Sequence, residues 1–306
     1  LQADRASAWV HGVTAVVHPV EVFSGAEWRD RAQRHRERAE RWTKPTRKRR
    51  EAQVPHPIDD FLFTYYPFSF AKLEDWHPPF GVALEVVEPL PERFTRSPYR
   101  IESGSVYSEG PADPKELQRL SWIRELLVAT RDRLPNFACH GLHEWAMVYR
   151  GQQVRHEKTT PLRLPQAEID ALVESRPLVC SHFDAFRFFA PEAQPMNRTQ
   201  PTLDERSENE QPGCIHANMD LYKWASKAMP WIGSDLLIDC FEQSLALRDL
   251  DMRASPYDLS AWGREPVKIE TAEGRREYEA EQRALAEKSA GLRRRLIDAL
   301  SFVQVA

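Results

Sequence analysis

The sequence predicts an α+β protein that is predominantly helical, a single body of packed helices with a small β-sheet. Three observations carry this expectation. Apolar residues recur at helical spacing over long stretches, most clearly Leu117, Leu120, Ile123, Leu126 and Leu127. Extended text runs chiefly between Phe80 and Tyr107, with short strands read at 82–87 and 99–101 among Pro and Gly breaks. The chain of 306 residues is 42% hydrophobic and 29% charged, enough for one large core, and no internal repeat or low-complexity tract divides it.

Residues 1–25 read as an N-terminal extension. Their apolar stretch at 10–17 is broken by His11 and Gly12 and has no basic lead, so it is not read as a signal peptide. It is either a poorly packed extension or a strand that docks elsewhere. The single mostly helical domain then runs over 26–306. It opens with a basic helix at 27–51, expected to be regular up to Pro45, where eleven Lys and Arg stand against five Asp and Glu. The run Arg47-Lys48-Arg49-Arg50 suits contact with phosphates; as a solvated face laced with i,i+4 pairs the helix needs no partner.

An aromatic segment at 56–66 and a second at 73–78 follow, each bounded by prolines. Asp113 and Pro114 have the N-cap and first-turn pattern of a helix that Pro135 stops, and a second helix is expected over 137–149. Leu178-Val179-Cys180 is strand-like, and 190–213 reads as a Pro-rich surface excursion, a candidate lid. Helices return at 216–229, 234–249 and 273–300.

Composition narrows the function classes. A net charge of −4 does not describe a molecule built as a whole to bind nucleic acid. No apolar run approaches the ~20 residues of a membrane span. The four Cys lack CxxC spacing, so zinc-ribbon and thioredoxin chemistry and a disulfide framework are not expected, and a reducing cytoplasm is the default location. No GxSxG, GxxxxGK[ST] or GxGxxG motif is present, against a serine hydrolase, a P-loop enzyme or a dinucleotide-dependent dehydrogenase.

Chemistry concentrates in four polar clusters set in apolar text: residues 139–145, 180–184, 214–220 and 251–258. Imidazoles and carboxylates are costly to bury unless paired or bound, so convergence of these clusters would build a reactive pocket. On a helix, His140, His143 and Glu144 would share a face, as would His216 and Asp220, with Lys223 one turn on. His182 and Asp184 share a face if extended. The candidate catalytic residues are therefore Asp184, Asp220, Glu144, His143, His182 and His216. If a metal is present, His140, His143, His182 and His216 are its candidate ligands, and such N/O donors suit iron, manganese or zinc. Arg187 and Arg253, charges in apolar text, are expected to pair with a carboxylate or an anionic ligand.

The strings HPIDDFLFTYY (56–66), HGLHEWAMVY (140–149), CSHFDAFRFF (180–189), EQPGCIHANMDLYKWA (210–225) and LDMRASPYDL (250–259) together resemble an actinobacterial family labelled 3-methyladenine DNA glycosylase. The resemblance spans about residues 26–300, and no helix–hairpin–helix stretch of the LPGxG kind accompanies it. It implies hydrolysis of the N-glycosidic bond of a damaged purine, in DNA or a nucleoside-like small molecule, by a carboxylate that activates water, with no cofactor required. Under that reading Tyr65, Tyr66, Trp76 and Trp145 hold the base, Arg187, Lys223 and Arg253 complete the binding set, and the basic helix meets phosphates. Two alternatives stand beside it. One is a His/carboxylate metal-dependent enzyme, using non-haem Fe, Mn or Zn on a small molecule. The other is a non-catalytic ligand- or nucleic-acid-binding protein.

Overall fold

The computed structural model describes residues 21–151 and 160–303, so most of the expected N-terminal extension lies outside them. Its last residues dock as a strand. β1 (Glu21–Phe23) leads into α1 (Gly25–Glu51), which Ser24 caps by accepting the Glu27 N–H. Two short helices follow, α2 (Phe61–Tyr65) and α3 (Phe70–Glu74). Then come β2 (Val82–Glu85), β3 (Tyr99–Glu102) and β4 (Ser105–Ser108). The sheet order is β1-β2-β4-β3, with β1 parallel to β2 and the other pairs antiparallel. Ser103 and Gly104 both take positive φ (49° and 77°), as a two-residue hairpin turn requires.

The rest is helical. α4 (Pro114–Arg131) starts where Asp113 accepts the Lys115 N–H at 2.9 Å. α5 (Leu142–Met147), α6 (Gln166–Glu174), α7 (Phe183–Phe186) and α8 (Arg206–Asn209) are short. α9 (Ile215–Lys227), α10 (Ser234–Arg253) and α11 (Ala272–Ala299) form the long scaffold. α9 packs along α10, α11 lies against both and against α4, and α1 crosses α10 and α3. The predominantly helical α+β class is thus the observed one. One apolar cluster joins α1, α4, α9, α10 and α11, a second lies under the sheet around Trp28 and Trp76, and a third wraps α5, α6 and the start of α9.

Several boundaries depart from the sequence expectation. α1 runs six residues past Pro45 although an interior proline costs ~3 kcal/mol. Anchors beyond it offset that cost. Arg47 bonds Glu74 at 2.5 Å, Arg49 bonds Asp60 at 2.5 Å, and Arg50 donates to the Phe63 carbonyl at 3.0 Å. The run expected to meet phosphates is therefore largely bonded within the fold, with only Lys48 free of such a bond among the described contacts. The strand-like 178–180 stretch makes one isolated bridge, Leu178 to Asn197. The excursion at 190–213 is no loose lid. Asn197, Arg206 and Glu210 are buried, and Asn197 bonds the Cys180 backbone at both its N–H and its carbonyl, at 2.8 Å each.

Candidate functional site

The expected helix over 137–149 shortens to α5 for a backbone reason. His140 (φ 47°) and Gly141 (φ 75°) are left-handed, and a Cβ on Gly141 would meet the Ala254 Cβ at 3.3 Å. His140 therefore leaves the face of His143 and Glu144, bonding the Ala138 carbonyl at 3.0 Å and lying 3.5 Å from Glu279. This corrects its place among the candidate metal ligands.

His143 and Glu144 instead meet the last turns of α10, which runs on to Arg253 and so carries Asp251 inward. The His143 Nε2–H donates to Asp251 Oδ1 at 2.7 Å, and its other ring nitrogen faces the Cys139 sulfur at 3.3 Å. The Arg248 Nη1 donates to Glu144 and to Asp251 Oδ2, both at 3.1 Å. From α9, His216 points its Nε2 at Asp251 Oδ2, 3.9 Å away, with its ring edge-on to His143. His143, Glu144, His216 and Asp251 bring four ligand atoms within 4.8 Å of one another.

A second set adjoins the first. The rings of His216 and His182 stack at 5.6 Å, and His182 Nε2 lies 3.3 Å from Asp220 and 3.5 Å from Glu210. These three residues also converge within 4.8 Å. Two cations occupy the same space. Lys223 bonds Asp184 (2.8 Å) and Asp220 (3.1 Å), and Arg206 contacts Asp184, Glu210 (3.3 Å) and Asp220 (3.6 Å). Tyr66 donates to Asp220 at 2.7 Å, and Arg187 pairs with Asp184 at 3.1 Å, the partner its apolar setting called for.

Electrostatics separates the two sets. Burial opposes the charge on Asp251, but His143, His216 and Arg248 outweigh it and hold the carboxyl far below the usual range. Burial likewise opposes protonation of His143, yet Asp251 and Cys139 raise it well above an ordinary imidazole. His216 goes the other way. Burial, then the charge on His143, lowers it to about 3, so it is a neutral imidazole. Burial and the neighbouring Asp251 raise Glu144. In the second set burial raises Glu210. Burial is overcome at Asp220 by Lys223 and His182, and at Asp184 by Lys223, leaving both carboxylates firmly ionised.

Both sets open on one cavity of about 350 Å³. Its lining combines the polar Glu144, His182, Asp184, His216, Asp220 and Arg248 with the apolar and aromatic Phe61, Tyr65, Phe188, Met147, Met252 and Trp262. Beside His143 and His216 is a void of about 20 Å³ also lined by Cys139, Cys180 and Cys214, and all four cysteines are free thiols.

Of the residues singled out from sequence, Glu144, Asp184, Asp220, His182, His216, Tyr65 and Tyr66 thus line the cavity, with His143 and Lys223 bonded directly behind it. Trp76, Trp145 and Arg253 do not join them. Trp76 bonds Asp235 beneath the sheet, Trp145 donates to the Ala254 carbonyl in the core, and Arg253 pairs outward with Glu281. Asp251, Arg248, Glu210 and Arg206 were not singled out. The signal for them was present, since Arg248/Asp251 and Arg206/Glu210 stand at i,i+3 and i,i+4, one turn apart on a helix.

No described helix is long and apolar enough to cross a membrane. No family model, curated protein or solved structure matches this chain.

Proposed function

We propose that this protein is a metal-dependent enzyme that acts on a small molecule in the 350 Å³ cavity, with iron, manganese or zinc held by His143, Glu144, His216 and Asp251. The observation that carries this reading is the convergence of two imidazoles and two carboxylates, all buried or nearly so, on a cavity wall. Among the described residues these four are paired only among themselves, with Cys139 and with the single Arg248 guanidinium, and a divalent ion is a partner that would satisfy all four at once. The neutral His216 has its lone pair available and Asp251 is already ionised, while His143, held protonated by Asp251 and Cys139, would release its Nε2 proton as the ion binds. The second set is the weaker ion site, because an ion there would compete with Lys223 and Arg206 for Asp220.

A metal in this place would supply Lewis acidity, or with iron or manganese a redox centre. The chain's own groups divide the remaining work. Arg248 locks the orientation of Glu144 and Asp251 through Nη1. Glu144, at the cavity face with its affinity for protons raised, is the group placed to take or return a proton there. Tyr66, Lys223 and Arg206 hold Asp220 as a fixed negative charge.

Two observations weigh against N-glycosidic hydrolysis as the leading reading. Asp184 and Asp220, the carboxylates at the aromatic wall, are held ionised by ion pairs and make weak bases. The basic run that would meet phosphates is bonded internally at Arg47, Arg49 and Arg50.

Elemental analysis of the untagged full chain tests the proposal. Near-stoichiometric iron, manganese or zinc is expected, with at least tenfold loss in His216→Ala and full retention in His140→Ala. A chain that holds none of these ions after reconstitution, or loses its ion equally in both variants, ends the metal reading. Release of a methylated purine from alkylated DNA by metal-free protein would favour N-glycosidic chemistry instead.

A further inference from the structure

Apart from the ring nitrogens of His182 and His216, the cavity wall has bonded carboxylates and unbonded donors. Its carboxylates are bonded: Asp60 to Arg49 and the His56 N–H, Asp184 and Asp220 to Lys223, and Glu144 to Arg248. Donors are left over. The Trp262 Nε1–H and the Arg248 Nε–H are buried without a partner, and the Arg248 Nη2 makes no hydrogen bond among the described residues. Arg248 is 8% exposed, lines the cavity, and is stacked over the Phe61 ring at 3.9 Å, which fixes the plane of its guanidinium. Its Nη1 is spent on Glu144 and Asp251, so the unbonded side is the Nε–Nη2 edge, the fork that matches a carboxylate.

We propose that the cavity takes an organic monocarboxylate, its carboxylate on the free edge of Arg248, with the Trp262 N–H a second unpartnered donor of the same cavity and the apolar body against Phe61, Tyr65, Phe188 and Met147. One fork suits one singly charged head. A phosphate monoester would bring two charges to a single free guanidinium edge whose neighbours Glu144 and Asp251 are acidic. The volume is that of a small-ligand pocket. This names the substrate class for the metal-dependent reading and rests on it for its chemistry, whereas the binding contacts belong to the cavity alone.

The test compares 4-phenylbutyrate and octanoate with their primary amides, with the corresponding amines and with phenyl phosphate. Calorimetry is run on the full chain as isolated and after EDTA dialysis. The acids are expected to bind in both forms, at least tenfold more tightly than the amides. Arg248→Lys should lose that preference. Because Arg248 also supports Glu144 and Asp251, Trp262→Phe serves as the second variant, and it should weaken acid binding about threefold or more with an unchanged far-UV spectrum. Equal affinity for acid and amide, preference for the amine or the phosphate ester, or no acid binding in the native chain each overturns the proposal. Acid preference in a chain that takes up none of these metals on reconstitution would end the metal reading and leave this one standing. A metal-loaded chain indifferent to the acids would do the reverse.

Discussion

Replacing Arg206 by Leu removes one of three cations from a cluster of three carboxylates. Asp184, Glu210 and Asp220 are balanced by Arg206, Lys223 and the more exposed Arg187, and the replacement moves the fixed charge from 0 to −1 in a site where Arg206 is 3% exposed. At an effective dielectric of ~20, one unit pair at the observed 3.3 Å to Glu210 or 3.6 Å to Asp220 is worth about 5 kcal/mol. The desolvation that the native pair already bears offsets part of this, so breaking it should cost ~3–5 kcal/mol. For a domain of this size that is a fall in Tm of roughly 6–20 °C. Urea denaturation at pH 7, with the midpoint compared at constant slope, measures it. Arg276→Ala is the control. It removes a pair with Glu273 in which both side chains are more than 70% exposed, and the midpoint should barely move. A loss below ~1 kcal/mol in Arg206→Leu would show that the 190–213 segment is not braced through this residue, and the account of it as a structural plug would fail.

Two further predictions concern stability. Burial, reinforced by Arg93, lowers His77 to about 4 in the folded chain against ~6.5 unfolded, so the unfolded state gains the proton first. The His77 contribution to stability should therefore be full above pH 6.5, fall by up to ~3 kcal/mol between pH 6.5 and 4, and change no further below; His77→Gln should make the fall in that window correspondingly shallower in a pH series of urea melts. Glycines in α11 should respond oppositely to alanine. A Cβ on Gly274 would lie 2.0 Å from the Lys268 carbonyl oxygen, whereas nothing lies within 4 Å of one on Gly291. Gly274→Ala should lose ~2 kcal/mol or more and Gly291→Ala gain ~0.5–1 kcal/mol, read by thermal melting.

Helices whose apolar stripe and caps are local were legible in the sequence. The Asp113–Pro114 start of α4 and the Gly-free basic run of α1 up to Pro45 needed nothing distant to define them. α5 was not legible at its start, because the left-handed turn at His140 and Gly141 is imposed by the close approach of Ala254 and Tyr278, more than 100 residues downstream. β4 was missed because Ser105-Val106-Tyr107-Ser108 is too short and too polar to signal a strand without its partners. The convergence of polar clusters was expected, and His143, Glu144, His182, His216 and Asp220 are brought together. What sequence could not rank was Asp251 against Arg253. Two residues apart on α10, they face opposite ways, one into the histidines and the other out to Glu281.

The spacing of the ligand set along the chain dictates an order of events during synthesis. His143 and Glu144 emerge from the ribosome about a hundred residues ahead of Asp251, and the bond between His143 and Asp251 spans 108 positions. Tyr66 waits still longer for Asp220, 154 positions away. No growing chain shorter than the end of α10 contains the complete set. Its imidazoles and carboxylates remain separate weak donors until α10 is made.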